Sequence, residues 1–250
     1  MSEDNTIYAP LKMMMGHSRP YLTEEKIREI TSFVNGVHQS TYTSYIIDTS
    51  DFTITQVDLA DVPDVLLGMG KKKRPLSDML EMIPQDDLAR INSYGIAICE
   101  KMSQSMTENP TSQNFIFNHH VQYKGYQMVF NQRLVPLACF SNGVPCFLLC
   151  TIRVSPLHNV RYLIYRNVEK DLVEVYIPEV DRWQVLRKRD VTMQERMIIR
   201  LSMQGFSIKQ IAEKMCLSDA AIKKIRNQLF KKLQVQSITH AVAMVRYLNL

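Results

Sequence analysis

The sequence predicts an α+β protein: an antiparallel sheet with helices in the N-terminal part, followed by a C-terminal unit of four short helices. Three observations predict it. β-prone runs bounded by turn residues recur over residues 44–57 and 114–154. Helical apolar spacings fill residues 191–250. Charge divides unevenly between the two parts. The net charge of +5 over 250 residues conceals ten lysines and arginines in residues 191–250 against Glu195, Glu213 and Asp219, while the remaining 190 residues carry 20 basic and 22 acidic side chains. Such a split points to an anionic partner for the C-terminal quarter, nucleic acid ahead of an acidic membrane. With 46% apolar residues the chain is long enough for one large or two medium domains.

In chain order, Thr23-Glu24-Glu25 opens a helix with Ile27, Ile30, Val34 and Val37 on one stripe. That spacing admits a dimer seam, but two heptads favour packing on the chain's own sheet. Two strands follow, Ser44–Ile47 and Phe52–Val57, joined by the turn cluster Asp48-Thr49-Ser50-Asp51. Residues 58–104 read as helices, with Pro63 near the start of one and Asp86–Met102 the longest periodic stretch. Within them, Lys71-Lys72-Lys73-Arg74-Pro75 reads as a solvated loop. Three longer strands come next. Asn114–Tyr123 and Tyr126–Ala138 flank a Lys124-Gly125 turn, and Asn142-Gly143, a hairpin signal, leads into Val144–Val154. Residues 160–187 add two or three strands, with Tyr162, Ile164, Leu172, Val175, Ile177, Trp183 and Val185 for packing; Arg187-Lys188-Arg189-Asp190 forms a linker. The expected domains are therefore a segment and helix at 1–40, a sheet domain at 41–158, extra strands and linker at 159–190, and the helical module at 191–250.

The helical module is the most explicit part. Thr192-Met193-Gln194-Glu195 and Ser207-Ile208-Lys209-Gln210 are capping boxes, in which a hydroxyl and an acidic or amide side chain exchange hydrogen bonds across one turn. The first helix carries Ile198, Ile199, Leu201 and Met203 and ends at Gly205. A short second helix places Ile211, Ala212 and Met215 inward. Cys216-Leu217 forms a tight turn, and Ser218 caps a third helix with Ile222, Ile225, Leu229 and Leu233 at spacings of three, four and four. Ser237 opens a fourth with Ile238, Ala241, Val242, Val245 and Leu248. Two short helices joined by a tight turn make a helix-turn-helix. The third helix keeps Lys223, Lys224, Arg226, Asn227, Lys231 and Lys232 off its apolar stripe. Cationic and amide side chains on one helix face suit phosphates and base edges in the major groove of double-stranded DNA. The N-terminus at Ser218 can face a phosphate.

The pieces Val191-Thr192-x-x-Glu195, Gly205-x-Ser207-x-Lys209-Gln210-Ile211-Ala212, Leu217-Ser218, Ile222-Lys223, Arg226 and Lys232-Leu233-x-Val235 resemble the LuxR/FixJ-type helix-turn-helix over about 60 residues. The resemblance implies that the third helix reads DNA and that the fourth serves dimer contact. By position, Ser207, Lys209, Ser218, Lys223, Arg226 and Lys232 would meet DNA, joined by Lys224 and Asn227 from the reading of the face. The sequence departs from the family at Ala221, Ile225, Gln228 and Gln234, where a hydroxyl or charged residue, His, Asn and Gly are usual, so base specificity does not carry over. Upstream, the order of two strands, helices and three strands resembles a PAS domain over roughly residues 40–155. Ile83-Pro84-x-Asp86-Asp87 is similar to the opening of its long helix, and Tyr123-Lys124-Gly125 to the hairpin between its third and fourth strands.

Other classes find less support. A phosphoreceiver domain needs clustered early acidic residues, and Asp48, Asp51 and Asp58 are not so arranged. No glycine-rich phosphate loop or H-E-x-x-H motif occurs, and no nucleophile with its base, so an enzyme is not expected. His119 and His120 alternate across a strand and cannot share a metal; one of them is expected inside as a hydrogen-bonded core residue. Asp86–Met102 has no His, and no flavin motif surrounds Cys99, so no cofactor is expected. The five cysteines, odd in number and without a C-x-x-C pair, read as reduced thiols, mostly buried. The acidic N-terminus is unlike a secretory signal, and no run of 18 apolar residues occurs, so a cytoplasmic protein without a membrane span is expected. Together these predict a homodimeric transcription regulator. Its PAS-like domain would sense a small-molecule ligand or partner and bias DNA binding, with RNA polymerase as a further partner. The alternative is a dimerisation scaffold whose basic module docks an acidic protein.

Overall fold

The computed structural model describes residues 9–16, 18, 20–37, 43–57, 73–105, 109–123, 125–155, 162–186, 191–233, 235, 237–239 and 241–242. The N-terminal part contains helices α1 (Ala9–Met14), α2 (Glu24–Val37), α3 (Ser77–Leu80) and α4 (Gln85–Ser105). Its strands are β1 (Thr43–Asp48), β2 (Thr53–Gln56), β3 (Arg74–Pro75), β4 (Gln113–Tyr123), β5 (Tyr126–Cys139), β6 (Pro145–Val154), β7 (Leu163–Asn167), β8 (Leu172–Ile177) and β9 (Arg182–Leu186). The helical module holds α5 (Met193–Met203), α6 (Ile208–Met215) and α7 (Asp219–Leu233). By internal contact the chain divides into two compact units, residues 1–171 with 176–183 and residues 172–175 with 184–250. The α+β class expected from the sequence is present: an antiparallel sheet part followed by a helix-turn-helix.

The strands join in the order β3-β2-β1-β6-β5-β4-β7-β8-β9. β5 is the long central strand, pairing with β4 from Leu134 to Tyr126 and with β6 from Phe130 to Cys139. The Asn142-Gly143 hairpin forms. Phe140 and Val144 close it through a backbone hydrogen bond of 2.8 Å, and Gly143 sits at φ +83° against the backbone of Met102 and Ser103, where a Cβ would come within 3.1 Å. The α2 stripe packs on its own sheet: Val34, with Ile27 and Ile30, joins a core of Ile46, Val57, Phe140, Val144 and Phe147. This occupies the surface that a helical dimer seam would have used.

The expected loop at residues 71–75 fails where it falls within the described residues, and the cysteines are less buried than expected, Cys146 and Cys150 being buried, Cys99 and Cys139 half-buried and Cys216 exposed. Arg74 and Pro75 form a short strand against Thr53 and Ile54 rather than a loop. A residue preceding proline is pushed to extended backbone, and proline is tolerated on a sheet edge. Lys73 beside it pairs with Asp51 at 2.5 Å. Lys71, Lys72, the helical reading of residues 58–72, Lys124 and the linker 187–190 lie outside the described residues.

Among the described residues, β4 pairs with β7 from Gln113 to Phe117. Beyond that point the outward N–H groups of His120 and Gln122 need other acceptors. Gln122 N–H donates to Met82 O at 2.8 Å, and His120 N–H donates to the Asp87 carboxylate. Asp87, in the first turn of α4 where a negative charge suits the helix dipole, also binds His120 Nδ1 at 2.9 Å and Arg90 at 2.7 Å. Burial drives the Asp87 carboxyl up, but these donors more than reverse it and hold the group below 3.8. Further along, α4 stacks Tyr94 edge-on to Phe117 and Tyr176, and Trp183 packs on Phe115, Tyr165 and Tyr176.

Candidate nucleic-acid interface

Local rules build this module almost residue by residue. Thr192 Oγ1 accepts from Glu195 N at 3.3 Å while Glu195 Oε2 accepts from Thr192 N at 2.7 Å. Ser207 and Gln210 repeat the exchange at 3.4 and 2.9 Å. Both helices so started end alike. After α5, Gly205 takes φ +85° and Phe206 N reaches back to Leu201 O. After α6, Cys216 takes φ +53° and Leu217 N reaches Ala212 O. These are Schellman-type ends, the second with a non-glycine residue in the left-handed region. Cys216 is exposed there.

The turn directs α7 across α5 and α6. Ile198, Ile211, Ala212 and Ile222 form the buried centre, with Leu201, Leu217, Ile225 and Ile238 packed around it. Leu229 and Leu233 continue the seam. Ile225 thus serves packing, which accounts for an apolar residue where the resembled family has a histidine. Ala241 is fully buried and its N–H bonds Ser237 O, as an opening helical turn would have it. Val245 and Leu248 of the expected fourth helix, and Gln234, lie outside the described residues.

With the apolar side committed, α7 presents Lys223, Lys224, Asn227, Gln228 and Lys231 to solvent. Lys209 is exposed on α6. Ser207 and Ser218 are exposed, but their hydroxyls cap helices; Ser218 Oγ accepts from Ala221 N at 3.2 Å. Asp219 adds a carboxylate to the first turn of α7. A phosphate at that end meets like charge, and the lysines further along are better placed for it. Arg226 is half-buried and lies over the Phe230 ring at 5.4 Å, which fixes its guanidinium one turn from its own backbone. Lys232 differs from the other lysines. Its Nζ sits 2.9 and 3.0 Å from the two carboxylate oxygens of Glu195, whose side chain is only 3% exposed. Burial raises the Glu195 carboxyl, but Lys232 and Thr192 together bring it below the ordinary value of 4.5. Lys214 stacks over Phe206 at 4.5 Å, a further cation of the module whose placement its sequence position does not announce.

Among the described residues no group of His, Cys, Asp and Glu is arranged to hold a metal ion, and no helix is long and apolar enough to cross a membrane. The described cysteines are free thiols.

Residues 190–245 match the family described as bacterial regulatory proteins, luxR family (GerE). The C-terminal module is a luxR-family helix-turn-helix domain. No curated protein matches the chain. Among solved structures, the complex of phage VqmA with DPO aligns at 15% identity over 88% of this chain and 87% of that one, with a TM-score of 0.30. The Vibrio cholerae VqmA dimer without target DNA aligns at 13% identity over 90% and 87%, with a TM-score of 0.30. The VqmA–ligand–DNA complex of the same organism aligns at 12% identity over 90% and 88%, with a TM-score of 0.31.

Proposed function

From that domain as premise, we propose that the chain is a transcription regulator whose third module helix, α7, enters the major groove of double-stranded DNA. The observation that carries the reading is the division of α7 into a sealed apolar seam and a solvent face of Lys223, Lys224, Asn227 and Lys231. Lysines meet phosphates, while Asn227 is the side chain best suited to a base edge. Lys209, Arg226, Ser207 and Ser218 flank this face; Lys232 contributes mainly by fixing α7 against Glu195. The N-terminal sheet domain, residues 41–158, acts as a PAS-like sensor, joined through the strands and linker of 159–190. The protein works as a cytoplasmic homodimer that binds two half-sites and contacts RNA polymerase, and it is not an enzyme.

Selection of random duplex DNA by the purified full-length protein tests this. The expected result is enrichment of related, pseudo-palindromic sites with half-sites about 10 bp apart. Arg226→Ala should weaken binding to the selected site. No enrichment, or retention that does not respond to salt, contradicts the proposal and favours docking of an acidic protein.

A further inference from the structure

The sheet of the N-terminal unit carries a pocket that the helix-turn-helix does not explain. Its walls are apolar: Met79 and Met82 from the α3 region, Val121 and Phe130 from β4 and β5, and Ile152 from β6. As it stands its free interior is only about 20 Å³, little more than a water, at the base of a cleft of about 430 Å³ that includes space open to solvent. Two buried polar side chains border it, Thr43 and His119, and neither Thr43 Oγ1 nor His119 Nδ1 has a hydrogen-bond partner. Thr43 is 1% exposed and His119 3%. Orphaned polar atoms at such depth are uncommon, because each gives up its hydration without a replacement hydrogen bond.

Among the described residues lining the pocket, none but Arg153 is an Asp, Glu, Lys or Arg. Arg153 borders the pocket, but strand alternation turns its side chain to the opposite face, where Nε donates to Asn131 Oδ1 at 3.3 Å. The nearby Asp87 carboxylate is occupied by Arg90 and His120. His119 itself stays neutral near pH 7: burial lowers it to about 4, with Asp87 opposing and Arg90 and His120 reinforcing. Thr43 and His119 sit on β1 and β4, three strand spacings apart, roughly 14 Å between backbones. A small ligand therefore reaches one of them. His119, flanked by the rings of Phe117 and Phe130, is the end that suits a flat molecule. The two methionines are unbranched and readily change rotamer, which lets the narrow interior open.

We propose that this pocket binds an uncharged, mostly apolar ring compound through a hydrogen bond to His119 Nδ1, with Met79 and Met82 moving to admit it. The proposal deepens the sensor reading above and rests on it. The test uses the full-length protein with methyl-labelled methionine, titrated with p-cresol as the neutral probe and benzoate as its anionic counterpart. Met79→Leu and Met82→Leu assign the two signals. The expected result is a saturable shift of the Met79 and Met82 methyl resonances with p-cresol and none with benzoate at the same concentration. His119→Phe, which fits between the neighbouring rings, should weaken p-cresol binding at least tenfold. Should that variant fail to fold, the wild-type titrations decide. Shifts that do not saturate, an equal response to benzoate, or undiminished binding by folded His119→Phe overturn the proposal. DNA binding measured on the same samples separates this failure from failure of the regulator reading.

Discussion

His119 should impose a pH dependence on stability that can be worked out in advance. The ring is buried beside Phe117 and Phe130 and held to about 4 against an ordinary 6.5. Above pH 6.5 the ring is neutral in both folded and unfolded chains and contributes no slope. Below 6.5 the unfolded chain takes up a proton that the native ring refuses, so stability falls as pH falls. The slope is about 1.4 kcal/mol per pH unit, and the loss reaches roughly 3 kcal/mol by pH 4. Asp87, Arg90 and His120 surround the ring, so the effect is isolated by comparing wild type with His119→Phe. Urea unfolding from pH 7.5 to 4.5 measures it. Trp183, the only tryptophan in the sequence, reports on this unit through its contacts with Phe115, Tyr165 and Tyr176. The stability difference between the two proteins should shift in favour of the variant by roughly 2–3 kcal/mol across that range. Parallel curves would show that the ring is solvated or protonated in the native state and would refute the reasoning.

Three further residues, Asp87, Lys232 and Ile222, give outcomes that can be checked in the same way. Asp87→Ala removes an acceptor that serves His120 and Arg90 at 4% exposure; it should cost about 3–5 kcal/mol in urea unfolding, and Asp87→Asn should recover part of this. The Asp87 contribution is present above pH 3.8 and is lost as pH falls through its lowered pKa, seen as acid unfolding that the Asn variant lacks. Lys232→Ala breaks the pair with Glu195, but Lys232 is 41% exposed, so circular-dichroism melts should show a loss near 1 kcal/mol with little change in the salt dependence of DNA binding. Ile222→Ala, at the fully buried centre of the module, should cost about 2–5 kcal/mol and lose helical signal and DNA binding together.

What can be read from the sequence follows the range of the interactions. The caps at Thr192, Ser207 and Ser218 and the stop at Gly205 involve partners within one turn, so their residue types announce them. The apolar stripe of α7 likewise fixes which lysines face water, and Arg226 over Phe230 is a pair four residues apart. The restraint on Lys232 is not legible in the same way, because its partner Glu195 lies 37 residues away and is chosen by how α7 crosses α5. The same holds for Asp87. Its place at the opening of a helix is visible in the sequence, while its hydrogen bond with the His120 N–H of β4 is not. His120 lies beyond the described β4–β7 pairs, which run from Gln113 to Phe117. For His119, strand alternation leads one to expect a hydrogen-bonded interior residue; its unpartnered Nδ1 emerges only from strand register and the placement of α3.

The central claim, that the solvent face of α7 engages the phosphate backbone and grooves of DNA, is tested most directly by the salt dependence of binding to a selected duplex. Plotting log affinity against log salt for wild type and for Lys223→Ala/Lys224→Ala should give a shallower slope in the variant. The expected difference is about 0.9 for each phosphate that a missing lysine leaves unneutralised, up to about 1.8, with weaker binding throughout. Equal slopes and equal affinities would place DNA elsewhere on the molecule and contradict the account.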